Sequence, residues 1–280
     1  MTEQLYMRKI SFTAGGAIME LPLNIKFSVP FGEESEVDTI EIQVYNLKDA
    51  TINSLVTNSK ALLIAGYRDD SGAIFEGTLK KVESKWEGLD KIVTFKCIDS
   101  TDSYTKEVVK KTYGRNTKAS LILKEIAQKA GLKIGDIDLP VDFVYRSGKT
   151  INGKIQKVLN EIGKDCKAKL YVNKGSIFVR KPNKATTLGL LISKETGLID
   201  EPEIVEEEQV DKAGSKLKND KKKVKGYKLR SLLNHQITTD VTVVVESRKV
   251  KGTFRVTQGE HKCEGEDSST YYTEFEVVPV

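Results

Sequence analysis

Residues 62–99 read LLIAGYRDDSGAIFEGTLKKVESKWEGLDKIVTFKCID and contain three apolar runs separated by two turn signals. The first turn signal is DDSG at 69–72, and the second is EGLD at 87–90. Asp and Gly favour the tight turns that join neighbouring antiparallel strands. This stretch therefore predicts a meander of three β-strands.

The same order of runs and turns recurs at 241–279, as VTVVVES, VKGTFRVTQGEHKCEG and YYTEFEVVP. Gly77-Thr78-Leu79 can be laid on Gly252-Thr253-Phe254, and Glu87-Gly88 on Glu264-Gly265. Although the identity is low, the shared order of strands and turns indicates a duplicated β-domain.

The rest of the first 104 residues also has the alternation of a half-buried sheet. Leu21, Leu23, Ile25 and Phe27 alternate with polar residues or proline, as do the apolar residues of 40–44. A short helix is expected within 46–58. Residues 227–280 return to β-strand patterns, and 184–226 are expected to be a connector.

Residues 105–183 predict a small α+β unit made of helix, helix and hairpin. Apolar residues at 119, 122, 123, 126, 127 and 130 form one helical face, with Thr117 as the expected N-cap. A second helix is expected from about Thr150 to Gly163. The run 168–181 is then broken by Asn173-Lys174-Gly175, which is a hairpin signal.

The composition excludes several classes of protein. The chain has 280 residues, of which 39% are apolar and 30% charged, with a net charge of +5. It has no window of 18 apolar residues and no pattern of a secretory leader, so neither a membrane anchor nor a signal peptide is expected. Three widely spaced cysteines predict reduced thiols in a protein made in a cytoplasm.

Candidate catalytic and metal-binding residues are few. His235 and His261 are the only histidines, and the HKC sequence at 261–263 offers two zinc ligands at most. Cys97 lies inside an apolar strand, Cys166 follows the second predicted helix, and Asp69-Asp70 occupies a turn. Motifs of serine hydrolases, zinc proteases and P-loops are missing from the sequence. We therefore expect no catalytic residue, no cofactor and no metal site.

Charged and aromatic segments leave two alternatives open. The Lys-rich stretch 212–225, which follows Glu206-Glu207-Glu208, is interpreted as a solvated loop, with contact to an acidic partner as the alternative. No aromatic residue is interleaved in it, so specific nucleic-acid recognition is not expected. Trp86 and Tyr271-Tyr272 are interpreted as core residues, with oligomer contacts as the alternative.

Two similar β-domains in one chain have a consequence for symmetry. Three such chains closed in a ring would present six similar domains around one axis, and the ring could match sixfold and threefold objects on its two sides. Charged residues alternate with apolar ones in Ile40-Glu41-Ile42 and Thr273-Glu274-Phe275. The polar faces of such strands would suit a water-filled channel.

Three stretches carry a resemblance to a known family: 66–86, 99–132 and 226–280, the last beginning GYKLRSLLNHQITTD. They resemble the phage baseplate hub family, the late control D-like tail hubs of contractile tails and R-type bacteriocins. The resemblance covers nearly the whole chain, although the Lys-rich stretch is not expected in a minimal hub. No appended hydrolase domain is recognised.

The resemblance implies a mainly β fold with a small α+β insertion. Two tube-like β-barrel domains, 1–104 and 205–280, would flank the helix-helix-hairpin domain and connector at 105–204. It also implies a homotrimer that joins the hexameric tail tube to the trimeric central spike, with baseplate wedge proteins around it. Such a protein is not an enzyme, is made in the bacterial host cytoplasm and is assembled into the baseplate of a virion tail or tail-like particle.

One function of another class remains open. The helix-helix-hairpin unit, about 117–181, also suggests a peptidoglycan-binding or peptidoglycan-hydrolysing protein of the tail or cell wall. An extracellular adhesin is disfavoured by the missing leader and the odd number of cysteines.

Overall fold

A computed structural model describes residues 7–32, 39–99, 104, 106–208, 223–266 and 268–280. Strands dominate this part of the chain, and three α-helices accompany them: α1 (Asp49–Ser54), α2 (Ala119–Lys129) and α3 (Ile155–Asp165). The strands are β1 (Arg8–Ala14), β2 (Ala17–Glu20), β3 (Ile25–Phe31), β4 (Thr39–Tyr45), β5 (Lys60–Tyr67), β6 (Ser71–Glu87), β7 (Asp90–Ile98), β8 (Val108–Tyr113), β9 (Thr117–Lys118), β10 (Lys133–Ile137), β11 (Val144–Tyr145), β12 (Lys149–Lys154), β13 (Lys169–Asn173), β14 (Ser176–Arg180), β15 (Thr186–Ser193), β16 (Glu203–Glu208), β17 (Lys223–Leu232), β18 (Val241–Glu246), β19 (Lys251–Glu264) and β20 (Tyr271–Pro279).

The N-terminal strands form one antiparallel array in the order β3-β4-β7-β6-β5-β1-β2. The meander predicted at 62–99 is confirmed as β5, β6 and β7, and the short helix expected within 46–58 is α1. Alternation is confirmed as well, because Ile40, Ile42 and Val44 are buried whereas Glu41 is exposed. This array therefore has one apolar face and one polar face.

The C-terminal strands form a second array in the order β16-β17-β20-β19, and β18 adds to the first half of β19. Residues 184–226 are not simply a connector, because they contain β15, β16 and the start of β17. β15 pairs in parallel with the outer edge of β18. Its sequence, TTLGLLIS, is exposed over most of its length. It therefore lacks the alternation of apolar and polar residues from which a strand is predicted.

The duplication predicted from the sequence appears in the strand pairing. The five strands β3–β7 and the five strands β16–β20 lie side by side in the same order. Numbered from one to five along the chain within each set, this order is 1-2-5-4-3. Within the fourth strand of each set, β6 and β19, the register towards the fifth strand shifts once, after Leu79 and after Val256. The strand then continues for eight residues in both sets, to Glu87 and Glu264 respectively.

This register confirms one predicted equivalence and corrects another. Glu87-Gly88 and Glu264-Gly265 occupy the same place at the end of the fourth strand. Counted back from this shift, however, Gly252 lies four residues before Val256 whereas Gly77 lies two residues before Leu79, so these two glycines are not equivalent. Gly77 has a different role, because a Cβ there would lie 1.9 Å from the carbonyl oxygen of Ile98.

β3 and β19 join the two arrays into one 13-stranded sheet, with Phe31 opposite Gly259 and Lys26 opposite Glu264. Eight strands thus lie side by side in the order β16-β17-β20-β19-β3-β4-β7-β6. The buried apolar residues of the N-terminal array include Cys263 and Tyr271 from the C-terminal array. The two arrays therefore share part of one core.

The middle of the chain has its own core between α2, α3 and a small sheet in the order β10-β14-β13. The helical faces predicted from 119–130 and 151–162 are buried there.

Two predicted helix boundaries in this unit are wrong. Thr117 does not cap α2, since its hydroxyl donates to Gly114, and the N–H of Ser120 instead bonds Asp142. The second helix begins at Ile155, because 149–154 pair as β12 with β8.

Candidate assembly surfaces

The two histidines are buried or half-buried side chains that pack within the fold. His261 is buried, with its Nδ1 2.9 Å from the hydroxyl of Thr273, and burial holds the pKa of its ring well below the usual value. The nearby charges of Lys174 and His235 lower that pKa further. His235 lies beside Asp70, with 3.4 Å between Nδ1 and the carboxylate. The His261 ring therefore packs inside the sheet, and the His235 ring packs from the segment between β17 and β18 against Gly72 of β6.

The three cysteines are reduced and buried. Burial raises the pKa of the Cys97 thiol to about 12 and also raises the pKa of Cys166 and Cys263. A protonated, buried thiol is a poor nucleophile and a poor metal ligand. Across the described residues, no cluster of three or more His, Cys, Asp or Glu side chains has the arrangement of a metal site.

None of the described helices is both long enough and apolar enough to span a bilayer.

Tyr271 supplies a buried side-chain contact between the two β arrays, in addition to the β3–β19 pairing. Its hydroxyl accepts a hydrogen bond from the N–H of Gly66 at 2.8 Å and donates to the carbonyl of the same residue at 2.7 Å. The ring packs edge-on against Tyr67, with 5.6 Å between centroids, and the Arg8 guanidinium lies 4.8 Å above it. Burial raises the pKa of this phenol. The interpretation of Tyr271 as a core residue is confirmed.

The middle unit contacts the C-terminal array through the tip of the β13–β14 hairpin and the N-terminal array through β10. Asn173 donates to Thr238 at 2.6 Å, and the ammonium of Lys174 donates to the carbonyl of His235 at 3.2 Å. On the other side, Lys133 from the middle unit pairs with Glu76 of β6 at 2.6 Å. Burial opposes the ionisation of Glu76, but Lys133 and Lys60 outweigh it and lower its pKa. The middle unit therefore braces the junction of the arrays.

Lys174 makes this brace sensitive to pH. Burial lowers its pKa to about 8, whereas an unfolded lysine titrates near about 10.4. Between about pH 8 and 10 the unfolded chain binds more protons than the folded chain, so the contribution of Lys174 to the free energy of unfolding rises with pH. We expect Lys174→Met to be more stable than the parent near pH 7, by a margin that shrinks towards about pH 9.5.

Urea unfolding at several pH values measures that margin. Lys164→Met, on the exposed side of α3, is the matched control, because it removes the same charge from a solvated position. A margin for Lys174→Met that stays constant over this pH range would show that the buried ammonium does not cause the effect.

One face of the eight-strand run carries a ladder of charges. Lys96 lies 3.3 Å from Glu41 and 3.2 Å from Glu83, so its ammonium links β4, β7 and β6. Glu83 and Glu41 raise the pKa of Lys96, and hydrogen bonds from Lys81 and Lys96 lower the pKa of Glu83. In the C-terminal array the carboxylate of Glu274 forms ion pairs with Lys228, at 2.6 Å, and with Arg230, at 2.8 Å. The polar strand faces expected from the sequence are thus present in both arrays.

Two strand edges at the ends of this run have no neighbour in the described part of the chain. β16 pairs only with β17, and residues 81–87 of β6 pair only with β7. Each edge carries an exposed apolar side chain: Ile204 is 61% exposed, and Trp86 is 69% exposed. The interpretation of Trp86 as a core residue is therefore wrong, because none of the described strands pairs with the open side of this half of β6.

The Lys-rich stretch lies mostly outside the described residues. Only its end is described, where 223–225 in β17 pair with 206–208 in β16. The predicted solvated loop and its alternative, contact with an acidic partner, both stay predictions.

A family model for baseplate hub gp41 matches residues 10–247 of the sequence. The chain belongs to the baseplate hub gp41 family. This hub protein therefore has a structural role in a phage tail baseplate, and the family resemblance seen in the sequence is confirmed. No protein with a curated description matches the sequence.

Solved structures with a similar fold include phage tail proteins and a type VI secretion protein. The 43 kDa tail protein of prophage MuSo2 from Shewanella oneidensis aligns with a TM-score of 0.65 at 10% identity, covering 97% of the hub and 98% of that chain. The tail protein from Neisseria meningitidis MC58 aligns with a TM-score of 0.66 at 7% identity, covering 98% of the hub and 97% of that chain. The c3393 protein of E. coli, a type VI secretion component, gives 0.58 at 10% identity and covers 92% and 74%.

Proposed function

We propose that this hub is a trimeric symmetry adaptor that joins the hexameric tail tube to the trimeric central spike. The observation that carries the proposal is the duplication of the five-strand unit within one chain, with the same pairing order in β3–β7 and β16–β20. A homotrimer of such a chain holds six equivalent units, which can face a sixfold ring. It also keeps true threefold symmetry, which matches a trimeric spike.

The roles of the parts follow from this arrangement. Residues 1–104 and 205–280 would act as the two tube-like domains, with β15 added to the second, and the middle unit would support the ring from outside. The charge ladder around Lys96 and Glu274 would then face a water-filled lumen. Baseplate wedge proteins would contact the periphery. The protein would be made in the host cytoplasm and would act without catalysis or a cofactor.

Light scattering of the purified hub, alone and mixed with its tail tube and spike proteins, tests the proposal. The expected species has three times the chain mass of 31.2 kDa, and negative-stain images should show a ring with a central hole. A hub that stays monomeric or dimeric under all these conditions would contradict it. A turbidity assay on purified peptidoglycan measures the alternative, because lysis by the chain would assign it a different role.

A further inference from the structure

The charges of the chain are divided unevenly between the middle unit and the β arrays. Residues 106–183 hold 18 lysines and arginines against 7 aspartates and glutamates, which is a net charge of +11. The rest of the sequence holds 27 basic and 33 acidic residues, which is a net charge of −6. A strongly basic unit on an otherwise acidic protein attracts acidic partners. The middle unit is therefore the part of the hub that an acidic partner would approach.

The helices of the middle unit lie on the side of its small sheet that faces away from the C-terminal array. Leu170 of β13 packs into the core that the sheet shares with α2 and α3. Lys169, on the other face of the strand, lies 3.8 Å from Asp240 in the segment between β17 and β18. Asn173, on the same face as Lys169, donates to Thr238 of that segment at 2.6 Å. The sheet therefore separates the helices from the C-terminal array.

A groove of about 640 Å³ lies beside the start of α2, and residues 141–148 line it. The N–H of Ala119 donates to the carbonyl of Phe143 at 2.8 Å. The N–H and the hydroxyl of Ser120 both donate to the carboxylate of Asp142, at 2.9 Å and 2.8 Å. These backbone and side-chain contacts hold the groove against the helical layer.

The groove presents apolar side chains that are only partly covered. Val141, Phe143 and Val144 are 47%, 42% and 38% exposed, and Leu121 in the first turn of α2 is 58% exposed. The ring of Phe143 packs edge-on against Tyr145, with 5.0 Å between the centroids. Several exposed apolar side chains around one groove are typical of a site where a partner buries an apolar side chain of its own.

Cations surround this groove. Lys118 lies opposite Val144, Arg146 belongs to the lining, and Arg115 lies in the turn between β8 and β9. All three are exposed, and within the described part of the chain none of them has an acidic partner. The only carboxylate among the lining residues is Asp142, which is already engaged with the start of α2. The surroundings of the groove are therefore positively charged.

We propose that this basic groove, formed by residues 141–148 with Arg115 and Lys118, docks an acidic segment of another baseplate protein. The segment inserts a large apolar side chain beside Phe143 and pairs its carboxylates with the surrounding cations. The inference rests on the proposed function, which leaves the middle unit outside the ring and within reach of a further protein. It goes beyond that function because it states where the partner binds and which chemistry recognises it.

Two other anionic partners fit the groove less well. A nucleic acid would satisfy the cations through its phosphates but would leave Val141 and Val144 without an apolar contact. A lipid surface supplies apolar chains and negative charge, but it is flat on this scale and would not fill a groove. A protein segment supplies both carboxylates and an apolar side chain in one extended shape.

Charge reversal tests the groove. The probes are the purified tail tube, spike and wedge proteins of the same particle, each offered to the hub in biolayer interferometry at low and at physiological salt. We expect one of them to bind more weakly as salt rises, and Arg146→Glu to raise its Kd about 10-fold or more. The matched control is Lys157→Glu, which makes the same change of charge on the exposed side of α3, outside the groove, and should leave the Kd unchanged.

Photochemical cross-linking identifies the segment that occupies the groove. The native cysteines are buried, so Val144→Cys can be labelled selectively with a benzophenone maleimide. After illumination of the complex, mass spectrometry should find the label attached to a peptide of the partner that is rich in Asp and Glu and contains a large apolar residue. Lys157→Cys with the same label is the control and should not give this product. A basic peptide, or equal products from both positions, would overturn the proposed partner chemistry.

The outcomes separate the docking surface from the proposed function. A hub that forms trimers but binds all three proteins equally well with and without Arg146→Glu would overturn the groove and leave the trimeric adaptor standing. A hub that stays monomeric yet binds a protein through Arg146 would support the groove and contradict the adaptor. Binding of duplex DNA or of phosphatidylglycerol vesicles that depends on Arg146, with no such binding of a protein, would overturn the choice of a protein partner.

Discussion

Replacing Tyr271 by alanine should lower the free energy of unfolding of the hub by about 3–5 kcal/mol, the loss typical of a large buried aromatic side chain. The side chain is 2% exposed and lies between the two β arrays, against Tyr67 and under Arg8. Its removal leaves a cavity at the junction and also leaves the N–H of Gly66 without its partner. Urea unfolding followed by circular dichroism measures the change.

Two conservative variants divide this effect into its parts. Tyr271→Phe keeps the ring and removes only the hydroxyl, so it should cost about 1–3 kcal/mol, the price of unsatisfied buried polar groups. Tyr272→Phe is the matched control on the neighbouring, half-buried residue and should have little effect. If Tyr271→Ala cost no more than Tyr272→Phe, the junction would not depend on this side chain.

The junction matters for assembly because the repeat places both units in one chain. A ring built from six units needs a fixed angle between neighbouring units, and half of these angles are set inside the chain. The β3–β19 pairing fixes that angle through backbone hydrogen bonds, and Tyr271 fixes it through its side chain. The tip of the β13–β14 hairpin adds support from the middle unit. A weakened junction should therefore impair ring closure before it abolishes the secondary structure.

The local part of this architecture could be predicted from the sequence. Turn residues at 69–72 and 87–90 predict strands β5, β6 and β7, and the helical spacing of 119–130 predicts α2, because both signals come from neighbouring residues. The duplication could be predicted for the same reason, since it repeats the order of these local signals. Its fine register could not, as the wrong pairing of Gly77 with Gly252 shows.

The rest depends on contacts between distant segments. The parallel pairing of β15 with β18 joins residues about 55 positions apart and leaves most of β15 exposed, so its sequence carries no periodic signal. Trp86 alternates correctly for a strand, but its exposure depends on which strand, if any, covers the far half of β6. Sequence patterns report which side a residue faces and not what lies beyond the strand edge.

Replacing Trp86 by glutamate should leave the single chain as stable as before and should weaken the trimer strongly. The side chain is 69% exposed in one chain, so its loss creates no cavity there. Trp86 stands on the open edge of β6, where we expect a second copy of the proposed trimer to pack against it, and a buried tryptophan at an interface commonly contributes about 2 kcal/mol or more. The trimer has three such contacts, and its dissociation depends on the square of the chain concentration. The concentration of half-dissociation should therefore rise roughly 100-fold.

Mass photometry or light scattering over a dilution series measures this shift, and urea unfolding of the dilute chain checks that the fold is intact. Leu89→Glu is the matched control, because Leu89 is 96% exposed at the tip of the same hairpin but lies beyond the residues that pair. It adds the same charge three residues away and should leave the trimer unchanged. If both variants shift dissociation equally, the effect comes from added negative charge on the hairpin. If neither does, Trp86 lies outside the contact, and the open edge of β6 has another partner.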